Sequence, residues 1–525
     1  MMIQDRLAFP FRFGQWARVR RALVSDTALL VYLALLDFVG HMLFAGNYGY
    51  FRDELYYMAD GRHLAFGYVD QPPLIGWLAA LVHVVLGDSL FAIHILPALI
   101  GACLVFVTGC MARELGGGRF AQCLAALSVL VAAVFLANTS IFSYDLPDGL
   151  WWALGAYVFI RLIKSNEPRY WLLFGLVAGL GLLTKLTMLF FGFALVIGLL
   201  LTPGRAFFRT RWPWLGGVIA ALLFLPYVLW NLVNGWPTLQ FWYNYSGLSG
   251  NGPLSFFSNQ LLIVTVLNIP LIIAGLLFYF RSEAGRPYRA SGWAFVALYV
   301  LFTVINAKPY FLASAYPMLL AAGAVMFERV MRRCWIRRAY VVALALNGLL
   351  MAPLAMPILP PQAFARTYGV FTGLGNGGAG QHVGGVFPQY LGDRFGWGEM
   401  TATMANVYQQ LPPDEQAQAC IYTANYGEAS ALSFFGPTYH LPPVISGHNN
   451  YYLWGPGRCT GAVLIVIGIS PGYLQQGWSS VEQAAINTCT YCMAGEDKLP
   501  IYVCTQPKFS GSLAQIWYKL KYFGS

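Results

Sequence analysis

Charged residues are scarce in this chain of 525 residues. Asp, Glu, Lys and Arg together make up 10% of the sequence, whereas 58% of it is hydrophobic. Soluble globular proteins carry roughly 25% charged residues, so the composition excludes that class and indicates a polytopic membrane protein. Apolar runs of about 17 to 25 residues are long enough to cross a bilayer. They predict eleven spans, at 24–45, 89–111, 120–138, 148–164, 170–184, 186–202, 213–233, 259–280, 291–307, 312–328 and 338–357.

Acidic residues are scarcer than basic residues, and the chain has a net charge of +10. A clustered excess of cations would suit nucleic acid. With a cytoplasmic N-terminus, however, the predicted inner segments hold 21 of the 32 Lys and Arg residues, and the outer loops before residue 358 hold only Arg52, Arg62, Lys185 and Lys308. This positive-inside pattern argues against nucleic acid. It predicts a multi-pass protein of the cytoplasmic (inner) membrane, with residues after about 358 outside.

The chain also lacks a recognisable cleavable signal and a convincing internal repeat. The first apolar run begins late and has no small-residue cleavage site, so we expect an uncleaved anchor behind a cytoplasmic segment at 1–23. Internal repeats with charges near the bilayer midplane would indicate a lipid or small-molecule transporter or a flippase. That alternative is weaker here, because the carboxylates lie in predicted outer loops. A non-catalytic membrane scaffold is a second alternative, because residues 448–454 would suit a binding surface.

A change of composition near residue 358 separates two parts of the chain. We predict a transmembrane domain at 24–357 with a long first outer loop at 46–88, a Gly-rich connector at 358–380 and an extracytoplasmic α/β domain at 381–525. Strands are predicted at 419–423, 462–469 and 501–505, and helices near 398–411 and 427–435. The predicted fold class is therefore a polytopic α-helical membrane protein with a small C-terminal α/β domain.

Cysteine is sparse, and five of the nine cysteines fall in the C-terminal part. They are Cys420, Cys459, Cys489, Cys492 and Cys504. An oxidising compartment permits disulfides, and an odd number leaves one cysteine unpaired unless it bonds to another chain. The Cys489-x-x-Cys492 spacing alone is a weak signal. We interpret it as a disulfide or free thiols rather than as a metal or redox centre.

The few charges gather in the first predicted outer loop, directly after the first span. They are Arg52, Asp53, Glu54, Asp60, Arg62, His63 and Asp70. Helix-start charges that face water are one explanation for the adjacent carboxylates. This concentration is nevertheless the strongest indication of a functional site in the sequence.

Further charges lie in the later outer loops. Asp145 and Asp148 precede a predicted span, and Asp148 suits a helix cap, which leaves Asp145 as the more informative carboxylate. Lys185 and Lys308 lie on the same cation-poor side. They are either interfacial anchors or parts of an anion site.

These segments, taken in order, resemble the GT-C glycosyltransferases, in particular the bacterial family 39 and aminoarabinose-transferase-like enzymes related to protein O-mannosyltransferases. The resemblance spans roughly residues 25–330. Its motifs are Asp53-Glu54 with Tyr56-Tyr57, Asp70-Gln71-Pro72-Pro73-Leu74, Ser143-Tyr144-Asp145-Leu146-Pro147, Leu183-Thr184-Lys185, and Lys308-Pro309-Tyr310-Phe311 with Tyr316-Pro317. The resemblance implies a membrane enzyme that transfers a sugar from a polyprenyl-phosphate donor to an acceptor hydroxyl at the outer face, usually with inversion.

The resemblance also implies roles for the outer charges. Asp53 is predicted to accept the proton of the attacking hydroxyl as general base, and Glu54 to orient it or bind the acceptor. Arg52, Lys185 and Lys308 are predicted to bind the donor phosphate, whose charge grows in the transition state. Substrate-binding or supporting roles are predicted for Asp145, Tyr56, Tyr57, Asp70 and Tyr310. We expect Asp53, Asp145, Lys185 and Lys308 to line one outward cavity.

Metal use and acceptor identity stay open at this level. GT-C enzymes differ in metal use, and Asp53, Glu54, His63 and Asp145 offer oxygen and nitrogen ligands for a divalent cation, although their spacing defines no site. No peptide-specific or lipid A-specific feature is recognisable. The predicted partners are therefore the lipid-linked donor, membrane lipid and an unidentified cell-envelope acceptor, which is a glycan, a lipid or a protein.

Overall fold

The computed structural model of the protein describes residues 23–245, 252–375 and 386–524. Of the predicted cytoplasmic segment at 1–23, only residue 23 lies within these ranges. Residues 376–380 of the predicted connector also lie outside them. Helices dominate the first part of the chain. They are α1 (Asp26–Phe44), α2 (Arg52–Arg62), α3 (Leu74–Leu86), α4 (Leu90–Glu114), α5 (Arg119–Leu130), α6 (Ala133–Thr139), α7 (Asp145–Ser165), α8 (Tyr170–Thr184), α9 (Thr187–Leu200), α10 (Trp212–Val233), α11 (Pro237–Tyr245), α12 (Pro253–Ile263), α13 (Ile269–Arg281), α14 (Arg289–Val304), α15 (Tyr316–Val330), α16 (Cys334–Ala355) and α17 (Pro361–Gly375).

Five of the described helical segments are long and apolar enough to cross a membrane: α1, α4, α10, α16 and the segment Pro309–Val330 that contains α15. Three further pairs meet the same test together but are bent. The bend is 63° between α5 and α6, 110° between α9 and the 3₁₀ turn Pro203–Arg209, and 94° between α12 and Val266–Arg281. Counting each pair as one span gives up to eight. The helical membrane class is confirmed, and the count of eleven stays a prediction.

Glycines allow the close approach of neighbouring helices. A Cβ added at Gly175 in α8 would lie 2.1 Å from the carbonyl oxygen of Gly216 in α10, and one added at Gly216 would lie 2.3 Å from the carbonyl oxygen of Trp171. The two backbones therefore touch at a point where no larger residue fits. Small residues at such crossings are the usual device of membrane helix packing.

The last part of the chain forms a small α/β domain around a five-stranded sheet. The strands are β1 (Ala419–Thr423), β2 (Val444–Ser446), β3 (Val463–Ile467), β4 (Trp478–Asn487) and β5 (Leu499–Pro507), in the order β2-β1-β3-β5-β4. Strand β1 pairs in parallel with β2 and β3, whereas β5 pairs antiparallel with β3 and β4. The short helices are α18 (Gln389–Gly392), α19 (Trp397–Gln410), α20 (Pro413–Gln416), α21 (Tyr426–Phe435), α22 (Asn449–Trp454), α23 (Pro471–Gly477) and α24 (Leu513–Ile516).

The three predicted strands and two predicted helices of this domain are confirmed as β1, β3, β5, α19 and α21. Strand β4 was not predicted, since it is an edge strand whose middle is largely exposed and polar. One face of the sheet packs on α19 and α21 through Ile421, Ile465 and Met404, and Leu55 of α2 joins that core. The domain therefore packs directly on the helix that carries the first-loop charges.

Two cysteines of this domain form a disulfide. Cys420 of β1 forms a disulfide with Cys459, with their Cα atoms 5.9 Å apart. The backbone N–H of Cys492 donates to Cys489 Sγ at 3.1 Å, so these two thiols are neighbours. Cys504 is a buried thiol.

Candidate active site

Helix α2 begins with a buried capping carboxylate. Glu54 Oε2 accepts from the N–H of Phe51 at 2.8 Å, which satisfies an amide at the helix start. Its Oε1 accepts from the N–H of Phe142 at 2.7 Å and pairs with His94 Nε2 at 2.9 Å. Burial alone would raise the pKa of Glu54, but His94 and the Phe142 amide outweigh it and the pKa lies below its usual value. A fully buried carboxylate with both oxygens bonded suits positioning of α2 rather than contact with substrate.

The neighbouring carboxylate, Asp53, points the other way and is 27% exposed. Its Oδ1 accepts from the hydroxyl of Tyr426, in α21, at 2.7 Å and lies 3.5 Å from Arg52 Nε. Its Oδ2 has no hydrogen bond to any residue that the structure describes. Asp53 is thus fixed through one oxygen while the other remains open to a ligand.

Arg52 lies between Asp53 and the α/β domain. Its guanidinium is 3.7 Å from Asp393 Oδ2 and stands over the ring of Tyr426, 5.3 Å from the centroid. Its backbone N–H donates to the carbonyl oxygen of Asp393 at 3.0 Å. Because Arg52 already has two carboxylate partners, it suits holding Asp53 better than the predicted binding of donor phosphate.

Tyrosines and a further carboxylate surround Asp53. Tyr56 donates from its hydroxyl to Asp70 Oδ1 at 3.0 Å, and its ring packs on that of Tyr426 at 4.5 Å between centroids. Burial raises the pKa of Asp70 to about 7, and the charge of Asp53 acts in the same direction. The ring of Tyr57 lies 5.7 Å from that of Tyr144. Tyr144 belongs to the second predicted outer loop.

The second loop contributes a caged ion pair. Lys185 Nζ donates to Asp145 Oδ1, and both side chains are largely buried. The ammonium lies 4.9 Å from the ring centroid of Tyr144, 5.3 Å from that of Tyr310 and 4.4 Å from that of Phe311. The charge of Lys185 is therefore compensated within the protein.

A cavity opens beside this pair and is lined by Asp145, Lys185, Tyr310 and Ser314, among others. Asp53 and Lys308 do not line it, so the expectation that all four charged residues share one cavity holds only for Asp145 and Lys185.

Asp148 also lines this cavity but does not cap the helix, and that expectation is wrong. Helix α7 already begins at Asp145, and the Asp148 carboxylate instead accepts from Trp152 Nε1 at 3.1 Å, Thr187 Oγ1 at 2.8 Å and Ser314 Oγ at 3.0 Å. Its side chain ties α7 to two neighbouring segments of the helical part.

Lys308 is the other lysine of this neighbourhood, and it is not compensated in the same way. Its ammonium lies 4.8 Å from the ring centroid of Tyr245, and within the described ranges it makes no ion pair or hydrogen bond. Burial lowers the pKa of Lys308 to about 8, and the charges of Asp145, Lys185 and Asp53 all act on it. The four charges therefore belong to one electrostatic neighbourhood, although Asp53 and Lys308 lie outside the cavity beside Asp145 and Lys185.

The predicted metal ligands are not gathered. The described part of the chain contains no group of three or more His, Cys, Asp or Glu side chains that could hold a metal ion. His63 is stacked on Trp454 at 4.1 Å between ring centroids, and its Nδ1 contacts the carbonyl oxygen of Ala59 at 3.0 Å. Glu54 is enclosed as described above.

Sequence reasoning missed the residues of the α/β domain that reach this neighbourhood, chiefly Tyr426 and Asp393. Tyr426 lies 373 positions after Asp53, so no local spacing connects them. The only signal near it is Asn425-x-x-Glu428, a capping box that marks the start of α21. That motif predicts a helix start but gives no hint of a carboxylate partner.

The geometry can now be compared with known proteins. Residues 70–230 match the family described as dolichyl-phosphate-mannose-protein mannosyltransferase. The lipid A galacturonosyltransferase RgtD of Rhizobium johnstonii is 26% identical over 329 residues, which cover 60% of this chain and 67% of that protein. The undecaprenyl phosphate-alpha-4-amino-4-deoxy-L-arabinose arabinosyl transferase 1 of Pseudomonas fluorescens is 24% identical over 308 residues, 55% of this chain and 52% of that protein.

Solved structures agree at the level of the fold. The crystal structure of apo ArnT from Cupriavidus metallidurans superposes with a TM-score of 0.62 at 16% identity and covers 91% of this chain and 97% of that one. In sequence and in fold, the chain is similar to the GT-C glycosyltransferases. A second ArnT structure, bound to undecaprenyl phosphate, gives a TM-score of 0.58 over the same shares. The family match includes Asp70, Asp145 and Lys185, whereas Asp53 and Lys308 lie outside it.

Proposed function

We propose that this glycosyltransferase moves a sugar from a polyprenyl-phosphate donor to an acceptor hydroxyl in one displacement with inversion, and that Asp53 is the general base. The acceptor oxygen attacks the anomeric carbon while Asp53 takes its proton. The bond from that carbon to the phosphate oxygen breaks, and the lipid phosphate leaves with the electron pair. The observation that carries the proposal is the placement of Asp53: one oxygen is fixed, the other is open, and Lys308 is in the same electrostatic neighbourhood.

The donor class is supported by the relatives. One is named for galacturonosyl transfer to lipid A, another for an undecaprenyl-phosphate-linked aminoarabinose, and the bound ArnT structure holds undecaprenyl phosphate. Within this chain, Lys308 is the cation best suited to the phosphate because no carboxylate pairs with it among the described residues. Lys185 is neutralised by Asp145, so we assign that pair, with Tyr310, to the wall that faces the sugar.

The proposal also includes topology. Eleven spans, a cytoplasmic N-terminus and an extracytoplasmic α/β domain would place Asp53, Asp145 and Lys308 at the outer face of the inner membrane. The distribution of Lys and Arg supports this orientation. The Cys420–Cys459 disulfide supports it independently, because such bonds persist in oxidising compartments.

The test is transfer by the purified full chain in lipid nanodiscs. Undecaprenyl-phosphate-linked aminoarabinose and galacturonic acid are offered with lipid A, cell-envelope glycans and peptides, and products are read by mass spectrometry. We expect Asp53→Asn to lower kcat by about 10²- to 10⁴-fold, the range of general base catalysis. Asp88→Asn is the control, since the Asp88 side chain is about as exposed as that of Asp53 but pairs with Arg62 and His83. Unchanged transfer by Asp53→Asn would refute the assignment of the base, and retained anomeric configuration in the product would refute the single displacement.

A further inference from the structure

The contact between Asp53 and Tyr426 crosses from the helical part to the α/β domain. The Tyr426 hydroxyl is the donor, and at 2.7 Å the bond has the length of a strong hydrogen bond to a carboxylate. Because this bond occupies Asp53 Oδ1, Oδ2 is the oxygen that is open to a ligand.

Tyr426 is itself held on several sides. It is the first residue of α21, behind the capping box in which Asn425 Oδ1 accepts from the N–H of Glu428 at 3.0 Å. Its own N–H donates to His448 Nδ1 at 3.2 Å, and its ring packs on Tyr56. The hydroxyl is therefore presented by a rigid helix start rather than by a mobile loop.

Arg52 fits against the same helix start because the next residue is glycine. A Cβ added at Gly427 would lie 2.5 Å from Arg52 Cγ and 2.6 Å from Arg52 Cδ. Since Arg52 forms ion pairs with both Asp53 and Asp393, a larger residue at position 427 would displace this arginine from its partners.

We propose that the α/β domain completes the active site, with Tyr426 as the positioning residue of the general base and Gly427 as the gap that admits Arg52. This inference rests on the function proposed above. Tyr426 donates to Oδ1 of Asp53 and so directs Oδ2 towards the acceptor hydroxyl. A base misaligned by about 1 Å can lose on the order of 10²-fold in rate, so the domain contributes to the chemical step without touching the sugar.

The experiment compares Tyr426→Phe with Asp53→Asn and with Tyr451→Phe in the transfer assay. Tyr426→Phe keeps the stacked ring and loses only the donor. We expect kcat to fall about 10- to 100-fold. The donor KM is expected to stay within about twofold, because Tyr426 does not contribute to binding of the donor in the ground state. Tyr451, whose hydroxyl bonds Ser430 and Ser433 in its own domain, serves as the control and is expected to retain normal kcat.

The outcomes separate this inference from the proposed function. If Asp53→Asn is inactive but Tyr426→Phe has normal kcat, or changes KM alone, the positioning role is refuted and the base assignment stands. If Asp53→Asn transfers sugar at the normal rate, the assignment of Asp53 as the base is refuted, and the positioning role that rests on it is refuted as well.

A second measurement preserves the shape of the side chain. Replacing Tyr426 by 3-fluoro- and 3,5-difluorotyrosine changes the donor strength of the hydroxyl with little change of volume. A graded change of kcat supports the role. An identical kcat with tyrosine, 3-fluorotyrosine and 3,5-difluorotyrosine at position 426 would overturn it.

Discussion

At the scale of single residues, two lysines on the same side of the protein have different electrostatic surroundings. Lys185 has a carboxylate partner and three aromatic rings, whereas Lys308 has rings but, among the described residues, no carboxylate in contact. An ammonium removed from water without a partner favours its neutral form, and the pKa of Lys308 is accordingly lowered to about 8. An incoming phosphate would supply the missing charge.

This difference predicts a pH dependence of donor binding. Below about pH 8 Lys308 is charged and would bind the phosphate. Above it the free enzyme loses this proton, so the donor KM is expected to rise with pH. Lys308→Arg stays charged throughout and is expected to remove the alkaline rise. The measurement is the donor KM from about pH 6 to about pH 10. Lys164→Arg is the control, because Lys164 is an exposed lysine that pairs with Glu114. A wild-type rise that persists in Lys308→Arg would contradict the assignment.

The sequence predicted part of this neighbourhood because its motifs lie in loops that the predicted topology places on one side. The charges of Asp53, Asp145 and Lys185 do act on Lys308. Adjacent residues on a helix point about 100° apart, which is why Glu54 turns into the protein while Asp53 remains open. Tyr426 could not be predicted, since its contact depends on how a separate domain packs.

At the scale of elements, the apolar runs predicted where helices occur but not where they break. The predicted span at 120–138 is bent by 63° between α5 and α6, with neither Pro nor Gly at the break. Tertiary contacts account for it: Asn268 Nδ2 donates to the carbonyl oxygen of Ser128 at 2.9 Å, and Gly348 of α16 lies against Val131. A carbonyl can leave the helical ladder when another segment satisfies it.

The crossing of α8 and α10 gives a prediction with a matched control on the same helix. A Cβ at Gly216 would meet the carbonyl oxygen of Trp171 at 2.3 Å, whereas one at the adjacent Gly217 would meet nothing within 4 Å. Gly216→Ala is expected to destabilise the protein by about 1–3 kcal/mol, as overpacking does. Gly217→Ala is expected to be neutral or stabilising by up to about 1 kcal/mol, because alanine favours helix. Thermal unfolding of both variants in the same detergent tests the pair, and equal melting temperatures would contradict the crossing.

At the scale of the whole molecule, the α/β domain docks on the first loop through buried polar groups. Asp60 accepts from Gln71 Nε2 at 2.6 Å and from Asn450 Nδ2 at 2.7 Å, and Asn450 Oδ1 accepts from the N–H of Val69 at 2.7 Å. One alternative drawn from the sequence is a scaffold in which residues 448–454 form a binding surface. Asn450 instead binds the chain's own first loop, so at this residue the two parts of the chain are each other's partner.

The same junction carries carboxyl groups that burial drives towards their neutral forms. Burial raises the pKa of Asp70 to about 7 and that of Glu496 to about 7. Arg52 opposes the shift of Glu496 and Asp393 favours it, and Glu496 in turn raises the pKa of the neighbouring carboxyl of Glu428. A carboxyl whose folded pKa exceeds its unfolded value stabilises the fold below the unfolded pKa, and this contribution is lost as pH rises through the folded pKa.

The full chain should therefore lose stability, on the order of a few kcal/mol, between about pH 5 and about pH 8, because these buried carboxyls hold protons in the folded state that the unfolded chain has already released. Glu496→Gln removes one titrating group and should flatten the profile. Glu482→Gln, at an exposed position of β4, should reproduce the wild-type slope. The measurement is the thermal unfolding temperature of the three proteins across that range in one detergent. A wild-type stability that rises from about pH 5 to about pH 8 would mean that the raised pKa values of these carboxyls do not govern the junction.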